Sequence, residues 1–499
     1  MAALLISFLT LGLICAAVWF FKPFQISGIA KKHLIIGILI KAFACYLFIY
    51  LFSYIYTQNK GTLGQDAGAV FHDAYILNSV FYKEPNAYFS FIFGTDTSDE
   101  LVIKHLSKTS HWSKNGVSTM NESQNLVRVH ALIGLIAKGN IYVHFFCMLF
   151  ISYFGLKQVM LWLKERRPTL NLAFAFFIIL LIPSVLFWSI GILREPFVIL
   201  AIGLILRGLF GLSFTYKKVI GGVFGILLLL VFKMYVAFYL LLFLLLYLYF
   251  KRISKKNSRL VLVLVVLSAI LFCTLPNKYR DSTIAIISRK QNDFNNMSRG
   301  GLHILTDSCY IYISGIHRNK LMIKNDSVLL LQTIDAETYD FNYIPQFKYI
   351  KLNPTGKYWK LDDNCEPAHS YFKTTPIRGS GWQLIKNIPS GITNALLRPF
   401  PWDEGRLLKY WSFVEILFYL AAMLITLKQL KTLNADEKNL WKAFIISSLL
   451  LLLLIGWTTP VSGAIVRYRI PFLFLLFPLL LLSIKFTQKQ KTWIDKWFV

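Results

Sequence analysis

Acid is scarce in this chain beside base. Its 499 residues hold 25 Asp and Glu against 53 Lys and Arg, a formal net charge of +28. Such an excess is read first as a mark of nucleic-acid binding. Hydropathy redirects that reading, because 56% of the residues are hydrophobic and the mean hydropathy is +0.54. Apolar runs of roughly 17–25 residues recur, the length a helix needs to cross a bilayer. In a polytopic membrane protein basic residues collect in the cytoplasmic loops, so nucleic acid is set aside as a partner.

Other absences narrow the function. No GxxxxGK[ST] loop and no dinucleotide fingerprint occurs, and the expected cytoplasmic connections are too short for a domain. Chemistry driven by a nucleotide donor on the inner face is therefore disfavoured, and a donor carried by a membrane lipid fits better. The opening stretch MAALLISFLTLGLICAAVWFF has no basic n-region and Lys22 follows it, so it reads as a span and not as a cleaved signal. No internal repeat is visible, which counts against a transporter. Cysteines number six. Cys15, Cys45, Cys147 and Cys273 sit in or beside apolar runs, as small packing residues do. Cys309 and Cys365 share one outer segment, and the pair predicts a disulfide in an oxidising compartment.

What is present is an all-α polytopic pattern. Apolar runs predict about eleven spans, near 2–21, 33–56, 140–163, 171–190, 195–211, 219–232, 234–250, 260–275, 409–427, 443–457 and 468–484. Every alternate connection is basic: Lys31 and Lys32, then Arg166 and Arg167, Lys217 and Lys218, Lys255 and Lys256, Lys428 and Lys431, and the lysines of the tail. These connections are expected to be cytoplasmic, with the N-terminus outside and the C-terminus inside. The chain then divides into 1–56 (two spans), 57–139 (first outer segment), 140–275 (spans three to eight), 276–408 (second outer segment) and 409–499 (last three spans and tail). Lys233 splits the sixth span from the seventh, with one long bent helix as the alternative. Basic loops on the inner side are also candidates for anionic lipid.

The first outer segment opens with YTQNKGTLGQDAGAVFHDAY, which carries Asp66, His72 and Asp73. A carboxylate just outside a span is a candidate base for activating an acceptor, or a cation ligand; an N-cap or turn is the plain alternative. Further on, Leu126, Val129, Leu132, Ile133 and Ile136 recur at helical spacing with Arg128 and His130 among them, predicting an interfacial helix. The second outer segment holds SVLLLQTIDAETYDFNYIPQFKYIKL and a turn-like NPTG, predicting a small strand-containing, α+β module.

Several charges sit where a membrane edge disfavours them. Arg194 and Glu195 lie in PSVLFWSIGILREPF, Lys233 in VFKMYVAF, and Arg467 and Arg469 in VRYRIP. Membrane-edge ions are functional candidates, against the alternatives of snorkelling or pairing with Glu195 and Asp403. Before the ninth run, RPFPWDEGR places Arg398 and Arg406 around two prolines and Trp402. A guanidinium matches phosphate oxygens with a planar fork of donors.

The motifs QDAGAVFHDAY, PSVLFWSIGILRE, RPFPWDE and VRYRIP together resemble the GT-C superfamily of membrane glycosyltransferases. That resemblance implies an outer-face transfer of sugar from a polyprenyl-phosphate-linked donor to a glycan or lipid acceptor in a bacterial plasma membrane. It assigns the base to Asp66 or Asp73 and a second acidic site to Glu195. Donor-phosphate contact falls to Arg467 or Arg469, with Arg398 beside them, and His72, Arg194, Lys233 and Arg406 are supporting candidates. A divalent cation, Mg or Mn, stays open as a cofactor. Two other readings stand beside this one: a polysaccharide polymerase or ligase relying on arginines, and a lipid or polysaccharide transporter.

Overall fold

A computed structural model describes residues 2–57, 60–95, 98–112, 118–119, 121–213, 215–252, 277–305, 309–324, 327–340, 348–364, 367–377 and 381–498. Twelve α-helices come first among the described residues: α1 (Ala2–Phe20), α2 (Lys31–Tyr50), α3 (Gln65–Lys83), α4 (Pro85–Phe93), α5 (Asp99–Leu106), α6 (Glu122–Ala137), α7 (Ile141–Arg166), α8 (Leu172–Leu180), α9 (Pro183–Trp188), α10 (Glu195–Leu209), α11 (Tyr216–Phe232) and α12 (Met234–Arg252). Helix α13 (Asn277–Arg299) leads into seven strands, β1 (Gly301–Leu305), β2 (Cys309–Ser314), β3 (Leu321–Lys324), β4 (Ser327–Leu330), β5 (Ile334–Asp340), β6 (Lys348–Leu352) and β7 (Tyr358–Asn364). The rest is helical: α14 (Gly381–Lys386), α15 (Ile388–Leu397), α16 (Leu408–Gln429), α17 (Ala435–Thr458), α18 (Ser462–Tyr468), α19 (Ile470–Ser483) and α20 (Gln488–Phe498).

Among the described residues six helices are long and apolar enough to cross a membrane: α1, α2 extended to Ile55, α7, α12, α16 and α17. A seventh forms if α18 and α19, bent by 48° at Arg469, count as one span. The chain is thus a mostly helical integral membrane protein, with six or seven candidate spans among the described residues beside the eleven expected. The run at 171–190 is two short helices, of nine and six residues. Pro183 has no N–H to give and its ring crowds the preceding turn, so α8 stops before it and Ile182 turns extended. Helices α10 and α11 have 15 and 17 residues, the first below and the second at the lower end of the roughly 17–25 residues a crossing takes. The run at 260–275 lies outside the described residues. At Lys233 the expected split is real, with φ −161° and ψ 73° between α11 and α12.

The chain forms two compact units. The first comprises Met1–Leu246, Ala421–Trp441 and Ile470–Val499, and the second Tyr247–Leu420 and Lys442–Arg469. In the first unit, glycines let helices touch backbone to backbone. A Cβ on Gly203 of α10 would lie 2.2 Å from the Gly155 carbonyl oxygen of α7, and one on Gly155 2.4 Å from the Ile199 oxygen. Small residues at such crossings replace the hydrophobic drive that lipid does not supply.

The second unit holds the strand-containing module expected within 276–408. Its sheet is antiparallel throughout, ordered β3-β4-β7-β1-β2-β5-β6. Alternate residues Leu302 and Ile304, Ile311 and Ile313, Val328 and Leu330, and Ile334 and Ala336 fill one core, as the two-residue period of a strand demands. The turn at 353–356 has Gly356 at φ +69°, a left-handed position suited to glycine. Cys309 opens β2, but its side chain and Cys365 fall outside the described residues, and so does the expected disulfide.

Candidate functional site

The candidate residues of segment 57–139 gather on α3 and α6. Asn121 caps α6, its side-chain oxygen accepting from the N–H groups of Ser123 and Gln124 at 3.0 and 3.2 Å. That cap aims the next side chains outward from the helix start in three directions. Gln124 donates to the His111 carbonyl at 3.1 Å. Asn125 donates to the carbonyls of Thr119 and Val231 at 2.9 and 3.3 Å. Glu122 accepts from Arg194 and from the Met234 N–H, the latter at 3.0 Å. One helix N-terminus therefore ties together the 107–112 loop, the turn before α10 and the α11–α12 junction.

Beside that junction Lys233 donates to Glu195 at 2.6 Å, and their side chains are 3% and 0% exposed. The Arg194–Glu122 pair is about a quarter exposed on each side. Arg194 also donates to Ser123 at 3.2 Å. Three of the expected site residues, Arg194, Glu195 and Lys233, thus belong to one cluster with Glu122. The negative end of Glu122 sits in the first turn of α6, where the helix dipole favours it. The accessible pair is the one a ligand anion can compete for; the buried one is a structural lock.

Asp73 has a different part from the one expected of a base. It is fully buried on α3, and its two oxygens accept from Ser110 N–H at 3.0 Å, His111 N–H at 2.9 Å and His111 Nδ1 at 2.7 Å. Burial alone would push this carboxyl up, but the donors of His111 and Ser110 outweigh it and hold the group below its ordinary value of 3.8. A carboxylate so engaged fastens the 107–112 loop. His72, with Nδ1 3.5 Å from Asp73, is largely exposed. Asp66 is exposed in the first turn of α3. The residue before it, Gln65, has φ +56°, a left-handed backbone that a side-chain-bearing residue adopts only at a cost.

Helix α6 does not present its charges as a surface helix would. Arg128 is 6% and His130 0% exposed, while Leu132 and Ile136 are 46% and 85% exposed. Arg128 donates to the carbonyls of Phe91 and Ser118 at 2.8 and 2.9 Å and to Asn125 at 2.6 Å. His130 and His144 meet through their Nδ1 atoms at 3.0 Å. Burial and the neighbouring imidazole hold His130 well below the usual 6.5.

The arginines expected on donor phosphate belong to the second unit. Arg398 pairs with Asp403 and lies 4.0 Å over the Phe372 ring, while Asp403 also accepts from the Phe400 N–H at 2.8 Å. Arg469 is fully buried. It donates to the carbonyls of Ala395, Leu396 and Arg398 at 3.3, 3.1 and 3.1 Å and to Glu415 at 3.5 Å. These are the carbonyls left open at the end of α15. Arg467 is half-buried on α18 and Arg406 exposed ahead of α16.

Sequence reasoning missed His111, Glu122 and Glu415 as partners. The Asn121-x-x-Gln124 spacing was the available signal for the α6 start. It also missed Lys41, which lies mid-span in α2, 3% exposed, and donates to Ser189 at 2.8 Å. Among the described residues no three His, Cys, Asp or Glu side chains gather as metal ligands, and no residue is assigned to Mg or Mn. Comparison with known families, curated proteins and solved structures returns no match. The functional reading rests on this chain's own residues.

Proposed function

We propose that the chain is an integral membrane glycosyltransferase of GT-C type, moving a sugar from a polyprenyl-phosphate-linked donor to an envelope glycan or lipid acceptor on the outer face. The observation that carries this reading is the ion cluster at the N-terminus of α6. There the quarter-exposed Arg194 is paired with Glu122, beside the buried Glu195–Lys233 lock. In this reading Arg194 turns from Glu122 to the donor phosphate, and Asp66 takes the proton of the acceptor hydroxyl. The acceptor oxygen bonds to the anomeric carbon, the carbon–oxygen bond to phosphate breaks, and its electron pair leaves with the phosphate. One displacement inverts the anomeric configuration. Asp73, whose oxygens are engaged, supports the 107–112 loop.

A transporter is favoured as second reading by two specific observations: the break between α8 and α9, and the intramembrane Lys41 beside Ser189. Broken helices and buried ions mark substrate paths. The arginine-dependent polymerase or ligase reading draws less support, because Arg398 and Arg469 are held by Asp403 and Glu415.

The deciding experiment offers purified protein radiolabelled polyprenyl-phosphate sugars and compares wild type with Asp66→Asn, Arg194→Ala and Arg467→Ala. Loss of transfer in the first two, with folding intact, is the expected result. No transfer by wild type from any such donor, with lipid-substrate movement seen in proteoliposomes, would overturn the proposal in favour of transport.

A further inference from the structure

Helix α20 begins a few residues after the last span candidate ends at Ser483. A reciprocal cap starts it, with Gln490 N–H donating to Thr487 Oγ1 at 3.3 Å and Thr487 N–H to Gln490 Oε1 at 2.8 Å. Its rotation is fixed by docking. Ile494 is 5% exposed, and the Phe498 ring packs on Phe174 and Phe177 of α8 at 5.6 and 5.8 Å and on His33 of α2 at 6.4 Å. Asn171 holds Asp495 at 3.0 Å.

With positions 494 and 498 turned inward, positions 489, 493, 496 and 497 form another stripe, since residues four apart share a helix face. That stripe reads Lys, Trp, Lys, Trp. Trp493 and Trp497 are 58% and 62% exposed, and Lys485, Lys489, Lys491 and Lys496 are all exposed. Asp495 is the lone acid of the segment. Two exposed indoles are costly in water and suited to the headgroup level of a bilayer. Lysines there are attracted to anionic lipid, each by a factor of roughly five. The contact with His33, in the first turn of α2, sets this helix beside the start of the span candidate Lys31–Ile55.

We propose that α20 is an interfacial clamp that binds anionic phospholipid headgroups, with Trp493 and Trp497 as anchors and Lys489 and Lys496 as the charge-selective element. This inference does not depend on the glycosyl-transfer reading. The test uses the full chain in nanodiscs, labelled with 5-fluorotryptophan, its Trp493 and Trp497 resonances assigned by Trp493→Phe and Trp497→Phe. Headgroup-spin-labelled phosphatidylglycerol is compared with headgroup-spin-labelled phosphatidylcholine. Both resonances are expected to broaden several-fold more with the anionic lipid, and the double variant Lys489→Gln, Lys496→Gln to lose that preference while remaining broadened by both. Equal broadening in wild type, or none with either lipid, overturns the clamp. Protection that grows with the number of protein copies per disc also overturns it, in favour of a second copy on this face.

Discussion

Lys233 Nζ meets Glu195 Oε1 across 2.6 Å in a buried setting, one residue past the end of α11 and the other at the start of α10. Two consecutive helices are thus tied at the same end by a charge pair that water does not reach. Removing one partner strands the other, at a cost of about 3–5 kcal/mol. Glu195→Gln and Lys233→Met should each lower stability by that order in chemical unfolding of the detergent-solubilised protein. The double variant should recover much of the loss, because replacing both charges removes the stranded ion. Singles that are as stable as wild type would show that the pair is hydrated.

The two aspartates of α3 separate by the same kind of measurement. Asp73→Asn should loosen the 107–112 loop, seen as faster amide exchange there, while leaving transfer activity measurable. Asp66→Asn should abolish transfer and leave exchange of that loop unchanged. The pH dependence follows from sign. The native Asp73 carboxyl is held below its ordinary 3.8, so its contribution is present in full above that value. It is lost as pH falls through the depressed native value. Loop exchange in wild type should therefore rise with acidification below about pH 4, and that rise should be absent in Asp73→Asn.

These contrasts show which parts of the molecule were legible from residue order. Apolar run length marked α1, α2, α7, α12, α16 and α17, since burying backbone in lipid forces helix. Period-two alternation marked the strands at β4 to β6. Run length misled at 171–190, where Pro183 divides the run into two short helices. Partner choice was not legible. Glu195 and Lys233 were both singled out, and pairing was among the alternatives weighed for the lysine, yet Glu122 for Arg194 and Glu415 for Arg469 depend on which helix ends meet. Likewise Asp66 and Asp73 read alike in sequence; only the distant Ser110 and His111 donors tell them apart.

The α7–α10 crossing supplies a prediction independent of any activity. Gly203→Ala would place a methyl 2.2 Å from the Gly155 carbonyl, a contact that only backbone separation relieves. Overpacking of this kind costs about 1–3 kcal/mol. Thermal unfolding in detergent should show the loss for Gly203→Ala and for Gly155→Ala. Gly12→Ala on α1, with nothing within 4 Å, should be neutral or slightly stabilising, as alanine favours helix.

Arg469 offers the sharpest division between holding a substrate and holding the fold. Its guanidinium spreads over three carbonyls at the end of α15 and reaches Glu415, all without exposure to solvent. A group in that position is engaged before any donor arrives. Arg469→Met should therefore destabilise the protein by about 3–5 kcal/mol by stranding Glu415, with part of the loss returned by adding Glu415→Gln. Arg469→Lys should recover little, because an ammonium cannot span several acceptors as a planar fork does. Any fall in transfer should follow the folded fraction, with KM for the remaining enzyme unchanged. An Arg469→Lys protein of full stability with a raised KM for the lipid donor would restore this arginine to the donor phosphate.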